Sequence, residues 1–351
     1  MADTMKAVVI HGPENFSVET VPVPVPRRGE VRVKIEAVAI CGSDPKLFHG
    51  TYLGSTAQIY PFIAGHEFSG RVVSLGEEVT ELEVGDRVAG EAHCGCGYCK
   101  NCMSGLYNIC LNYGKPETGH RHYGFTWQGA YAQYNVYNVK ALTKMPDSVS
   151  YEEGTLVDTA GTSLSGISLI GLVPGGFCVV VGPGPVGLCA MMIARSMGSK
   201  VIMVGRGQRL QAAKKLGADY IVDCENEEVA ARVREITGGI GADEAVECAG
   251  NAASVNYAIH SVKRGGRVVL LGMPSAEEIS FPIKPVILDE IMVRGSRANP
   301  NVAENVLRLV ELGVLNVKDM ITHTFPLEQV HEALETFETR KGGALKVILK
   351  P

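Results

Sequence analysis

No stretch of this 351-residue chain approaches the roughly 18 apolar residues that a membrane-spanning helix requires, and no window gathers more than a few Lys or Arg. The first absence removes a bilayer span. The second, with a net charge of −5, removes a basic face for a phosphate backbone, so neither membrane nor nucleic acid is expected as a partner. The N-terminal MADTMKAVVIHGPE lacks the basic flank and apolar run of a secretory signal, which predicts a cytoplasmic protein. Internal repeats and low-complexity tracts are also missing. In a reducing compartment the ten cysteines are not expected to form disulfides, so their spacing is read as metal chemistry or core filling.

What is present is a globular composition: 46% hydrophobic, 20% charged and 41 glycines, the balance of an α/β protein. The length favours two domains. Up to about residue 150, short β-rich runs (MKAVVI, EVRVKIEAVAI, FSGRVVSLG, DRVAG) alternate with Pro and Gly clusters, predicting a β-rich domain. Beyond residue 155 short apolar runs (CVVVG, KVIMVG, DYIVD, RVVLLG) alternate with helical stretches such as VGLCAMMIARSMG and RLQAAKKLGA. That alternation predicts a parallel sheet covered on both faces. Two amphipathic helices and a closing strand, KVILKP, make up the tail.

Gly182-Pro183-Gly184-Pro185-Val186-Gly187 fits G-x-G-x-x-G directly after one of these strands and before a helix. In such turns the glycines allow a tight bend, approach of a pyrophosphate and close helix packing. About 20 residues on, NAD-binding versions carry a carboxylate for the ribose hydroxyls. Here KVIMV runs into Gly205-Arg206-Gly207-Gln208-Arg209, with no acid. Arg206 and Arg209 would offer charge-assisted bonds to a 2′-phosphate, so NADP is expected; NAD is the alternative, with Arg206 then a solvated loop residue.

Cys96, Cys99, Cys102 and Cys110 place four thiols in one compact loop, enough for a closed structural zinc site or an iron–sulfur cluster. Cys94 is the poorer candidate because it stands so close to Cys96. Cys41 in AICGSD, His66-Glu67 in AGHEFSG and Asp158 in TLVDTAG could form a second set with room for a substrate oxygen, the arrangement a catalytic zinc needs. Two zinc ions per chain are therefore expected.

These residues resemble the zinc-containing medium-chain dehydrogenase/reductase family, nearest its sorbitol (polyol) and threonine dehydrogenase branch. The likeness is carried by CGSD, GHEFSG, GDRVAG at Gly85 to Gly90, the four-cysteine lobe, VGPGPVG and SRANP with Arg297. It implies an α/β chain made of a GroES-like β-rich catalytic domain (1–157, with a zinc lobe at 94–112), a Rossmann doubly wound parallel-sheet domain (158–293), and a segment 294–351 that returns to the first. By position, Cys41 and His66 correspond to catalytic zinc ligands, and Glu67 to a ligand that binds directly or through water. Asp158 stands where the polyol branch often has Glu, and Ser43 where a hydroxyl receives the substrate proton. Lys46 replaces a relay His, which leaves His49 or water as the proton exit. Gly182, Gly184, Pro185, Val186, Gly187, Gly205, Arg206, Arg209, Gly272 and Arg297 are the cofactor candidates.

The polar set Ser43, Tyr52, Glu67 and Arg297 favours a polyol or sugar alcohol, with a threonine-type amino alcohol as the alternative substrate. A relative that binds NADPH but has lost its chemistry is the alternative of another class, and the retained Cys41, His66 and Glu67 argue against it. Related enzymes imply a homo-oligomer, a tetramer or a dimer.

Overall fold

The computed structural model describes residues 3–52 and 60–351. The chain packs as two compact units: one runs to Gly161 and includes Ala298–Leu312 and Val317–Pro351, and the other is Thr162–Arg297 with Gly313–Asn316. The units part after Gly161 and Arg297, a few residues beyond the expected 157/158 and 293/294.

In the first unit the strands Ile321–Pro326, Lys346–Lys350, Glu30–Ala39, Glu67–Leu75, Arg87–Gly90 and Leu142–Lys144 lie side by side, with Tyr134–Asn138 also paired to Glu30–Ala39. Every second residue at the start of Glu30–Ala39, Val31, Val33 and Ile35, points into the core. This is the two-residue period of a strand with one face buried. Phe68, Tyr123, Tyr131 and Tyr137 fill the same core. Antiparallel register sets Ala39 opposite Glu67, so Cys41, just past one strand end, arrives beside the start of the next. The last strand pairs Ile348 with Ala39, which brings the chain's end to the same place.

The second unit holds six strands in the order Tyr220–Asp223, Lys200–Gly205, Phe177–Val181, Ala242–Glu247, Val262–Leu270, Met292–Gly295, all parallel. The first strand in sequence lies centrally and the order reverses beside it, the doubly wound arrangement. Cys178, Val179, Val180 and Val181 are buried, as expected for a strand covered on both faces. Among the described residues no helix is long and apolar enough to cross a membrane.

Candidate metal centres and cofactor turn

One ligand atom each from Cys41, His66 and Glu67 lies within 4.8 Å of the others. Asp158 is not part of that mutual cluster. Thiolate, imidazole and carboxylate form the mixed donor set that suits zinc with a position left open. Asp44, which the sequence reading passed over inside CGSD, is fully buried and orients the set. Its Oδ2 accepts hydrogen bonds from the Cys41 N–H (2.8 Å) and the Tyr131 hydroxyl (2.7 Å), and its Oδ1 lies 3.7 Å from His66 Nδ1. A carboxylate behind a ligating histidine sets the ring's orientation and basicity.

Glu67 is gripped from two sides. Thr159 Oγ1 donates to Oε1 (2.9 Å), while Lys346 Nζ forms an ion pair with Oε2 and donates to Thr159 Oγ1 (3.0 Å). Burial alone would push the His66 imidazole down, but the Cys41 thiol, with Asp44 and Asp158, outweighs burial and raises it to about 10. Burial, with the Glu67 charge, raises Asp158 to about 6 against the pull of His66 and Lys346. A buried imidazole surrounded by this much negative charge marks a pocket suited to a cation.

Ser43 stands at the N-cap of the short helix Asp44–Phe48, and its buried Oγ has no hydrogen-bond partner among the described residues. Lys46 lies half-buried on the same helix. His49 is exposed and uses both ring nitrogens, Nδ1 to Glu14 (2.5 Å) and Nε2 to Glu338 (2.8 Å). As placed, neither nitrogen is left over for a relay. Rings extend from His66 in a stack: Phe125 at 4.6 Å, His122 at 4.0 Å from Phe125, and His93 at 4.0 Å from His122. Tyr52 also meets Phe125, at 5.3 Å. Lone histidines at 93 and 122 carried no spacing signal; tertiary packing makes them neighbours.

The four thiols of the lobe, Cys96, Cys99, Cys102 and Cys110, also lie within 4.8 Å of one another. The sulfur separations Cys96–Cys102 (3.9 Å) and Cys99–Cys110 (3.8 Å) match the roughly 3.8 Å edge of a tetrahedron with metal–sulfur bonds of about 2.3 Å. The Cys102 and Asn112 amides and the Asn112 side chain point N–H groups at these sulfurs, as thiolates require. Cys94 is buried outside the tetrad. Tyr107, within the lobe, donates to Glu91 (2.5 Å) and accepts from the Asn301 amide (2.9 Å), which ties the lobe to two distant loops of its unit.

In the second unit Gly184 caps the helix Pro185–Ser196, with Pro185 in its first turn. A Cβ at Gly187 would sit 1.9 Å from the Gly182 carbonyl, so only glycine allows this close approach of turn and helix. The bare turn at a helix N-terminus fits a pyrophosphate. The Val186 carbonyl accepts from Ser163 Oγ (2.8 Å), and the Gly272 amide donates to the Glu247 carbonyl (3.1 Å). Arg209 reaches toward Gly184, with Nη1 4.0 Å from where a Cβ would stand. Arg206 instead pairs with Glu225 (2.8 Å), an acid brought in from the next strand end. Arg297 is half-buried at the end of Thr162–Arg297.

The alcohol dehydrogenase GroES-like domain profile matches residues 27–147, and the zinc-binding dehydrogenase profile matches residues 185–311. Sorbitol dehydrogenase of Bacillus subtilis (strain 168) is 34% identical over 99% of this chain and 97% of its own length. A zinc-binding dehydrogenase from Sinorhizobium meliloti 1021, solved bound to NADP, is 30% identical with a TM-score of 0.88 over 99% of this chain and 100% of that one. An alcohol dehydrogenase from Escherichia coli CFT073, complexed with NADH, is 27% identical with a TM-score of 0.90 over 100% of both chains. With its matched domains and its ligand clusters, the chain belongs to the zinc-dependent alcohol and polyol dehydrogenases of the medium-chain family, and it is an oxidoreductase of that kind.

Proposed function

We propose that this enzyme oxidises a polyol or sugar alcohol to the ketose, or runs the reverse reaction, with NADP, and that it carries two zinc ions per chain. The observation that carries the reading is the convergence of Cys41, His66 and Glu67, with the buried hydroxyl of Ser43 two residues along the chain from Cys41. Zinc, when bound, supplies a Lewis acid to the substrate oxygen, and the nicotinamide supplies the redox partner for the hydride.

The protein's own residues do the rest. Asp44 sets a buried carboxylate beside His66 and anchors the Cys41 amide. Lys346 and Thr159 fix the Glu67 carboxylate from two sides in a buried place. The Ser43 hydroxyl takes the substrate proton and passes it outward, with water as the next carrier because His49 is engaged. Cys96, Cys99, Cys102 and Cys110 hold the second zinc, which leaves no open position and serves the fold. Arg206 and Arg209 at the end of Lys200–Gly205 support NADP, as does the NADP-bound Sinorhizobium relative.

The test is a panel of polyols, their ketoses and L-threonine with both cofactors, following absorbance of the reduced nicotinamide, beside elemental analysis of the same protein. Turnover confined to L-threonine would replace the substrate class. One zinc or none in fresh protein would remove the two-site reading.

A further inference from the structure

The NADP reading rests on a strand end without a carboxylate, and the fold supplies one from elsewhere. Gly205 has no room for a side chain: a Cβ there would stand 2.3 Å from Pro183 Cδ in the glycine-rich turn. The neighbouring strand Tyr220–Asp223 lies in register with Gly205 opposite Asp223, and the Cys224 amide donates to the Gly205 carbonyl (3.0 Å). Glu225 follows at once, and its Oε1 accepts from Arg206 Nη1 at 2.8 Å.

The turn that presents Glu225 is closed on itself. The Glu225 amide donates to Asp223 Oδ1 (3.1 Å), Asn226 Nδ2 to Asp223 Oδ2 (2.9 Å), and the Glu227 amide to the Asp223 carbonyl (2.8 Å). Glu225 is therefore held beside Arg206 by the backbone as well as by charge. Both side chains remain more than half exposed, 65% for Arg206 and 54% for Glu225, so an incoming ligand can reach them.

We propose that Glu225 is a cofactor-specificity residue that competes with the 2′-phosphate of NADP for Arg206. It builds on the NADP reading above. A phosphate that engages Arg206 must split this pair and bring its own negative charge beside the Glu225 carboxylate, whereas the unphosphorylated ribose of NAD does neither. The chain thus tempers the preference that Arg206 creates. For an exposed pair the penalty amounts to about two- to fivefold in affinity.

The experiment is equilibrium binding to the purified protein, titrating NADPH and NADH separately and reading the reduced nicotinamide by fluorescence, with no turnover required. Glu225→Gln should lower the Kd for NADPH about two- to fivefold, and the gain should vanish when Arg206→Ala is added. An unchanged or higher NADPH Kd in Glu225→Gln overturns the proposal. So does a gain that persists without Arg206, or a rise in the NADH Kd with NADPH unmoved, which would make Glu225 a ribose ligand. Arg206→Ala alone separates the two readings. If it leaves NADPH binding unaltered, the phosphate role of Arg206 fails; if it weakens NADPH while Glu225→Gln does nothing, only the competition fails.

Discussion

Lys346 and Glu67 form an ion pair in which each side chain is only 2% exposed, joining the last strand of the chain to a carboxylate of the Cys41, His66 and Glu67 cluster. Burial would push the lysine down, but the Glu67 charge outweighs it and keeps Lys346 protonated. Breaking such a pair strands a charge in a dry interior at a cost of about 3–5 kcal/mol. Lys346→Met should therefore lower the urea midpoint strongly and reduce zinc retention. Lys346→Arg should keep most of both, and adding Glu67→Gln to Lys346→Met should recover part of the lost stability. An unchanged midpoint in Lys346→Met would show the pair to be dispensable.

The two cysteine clusters should separate by phenotype. Cys99→Ser is expected to reduce the yield of folded protein, because structural zinc binding contributes directly to folding. Cys41→Ser should fold with one zinc fewer and lose activity, while Cys94→Ser, outside the tetrad, should keep both ions. Elemental analysis beside a circular dichroism melt distinguishes the three outcomes. Loss of zinc in Cys94→Ser would assign that thiol to the tetrad.

Asp44→Asn tests how much of the metal affinity lies behind the ligands. Removing a charge behind a ligating histidine typically costs about 10- to 100-fold in metal affinity. The variant should lose zinc to a chelator at a concentration that leaves the parent loaded. Equal retention would reduce Asp44 to a cap on the Cys41 amide.

His49 gives a pH signature. Hydrogen bonds donated to Glu338 and Glu14 raise its imidazole above the ordinary 6.5, against a smaller opposing effect of burial. A group with a raised folded value stabilises the fold when protonated. The contribution is complete below about 6.5 and fades as pH rises through the folded value, and it is modest because His49 is 39% exposed to solvent. The melting temperatures of the parent and His49→Gln should differ most near pH 5.5 and converge in alkaline buffer. A gap that widens with pH would contradict the two-carboxylate clamp.

Gly205→Asp, the obvious way to install a ribose carboxylate, should weaken both NADH and NADPH, because its Cβ meets the ring of Pro183. Replacing the proline removes the two nearest ring carbons and leaves its Cβ at 3.6 Å, an ordinary contact. Gly205→Asp in a Pro183→Ala background should therefore bind NADH well and NADPH poorly. Binding titrations of the single and double variants decide it: if the single variant already favours NADH at full affinity, the contact is not limiting.

Spacing along the chain was enough to pick out the groups whose members are close in sequence or follow a periodic pattern. Cys96, Cys99, Cys102 and Cys110 meet because a short loop closes on itself at little entropic cost, and the glycine turn from Gly182 to Gly187 joins adjacent elements, so both are written locally. Alternating apolar strands and helices likewise announced the parallel sheet, since a strand covered on both faces must be apolar throughout. Tertiary structure alone decided which distant side chains meet. Lys346 reaches Glu67 because the last strand pairs with Glu30–Ala39, Tyr131 reaches Asp44 across the core, and Glu225 reaches Arg206 because neighbouring strands end in register. Each of these contacts depends on strand pairing or core packing between segments far apart in the chain, and hydrophobic period and motif spacing carry no record of a residue's partner across a sheet.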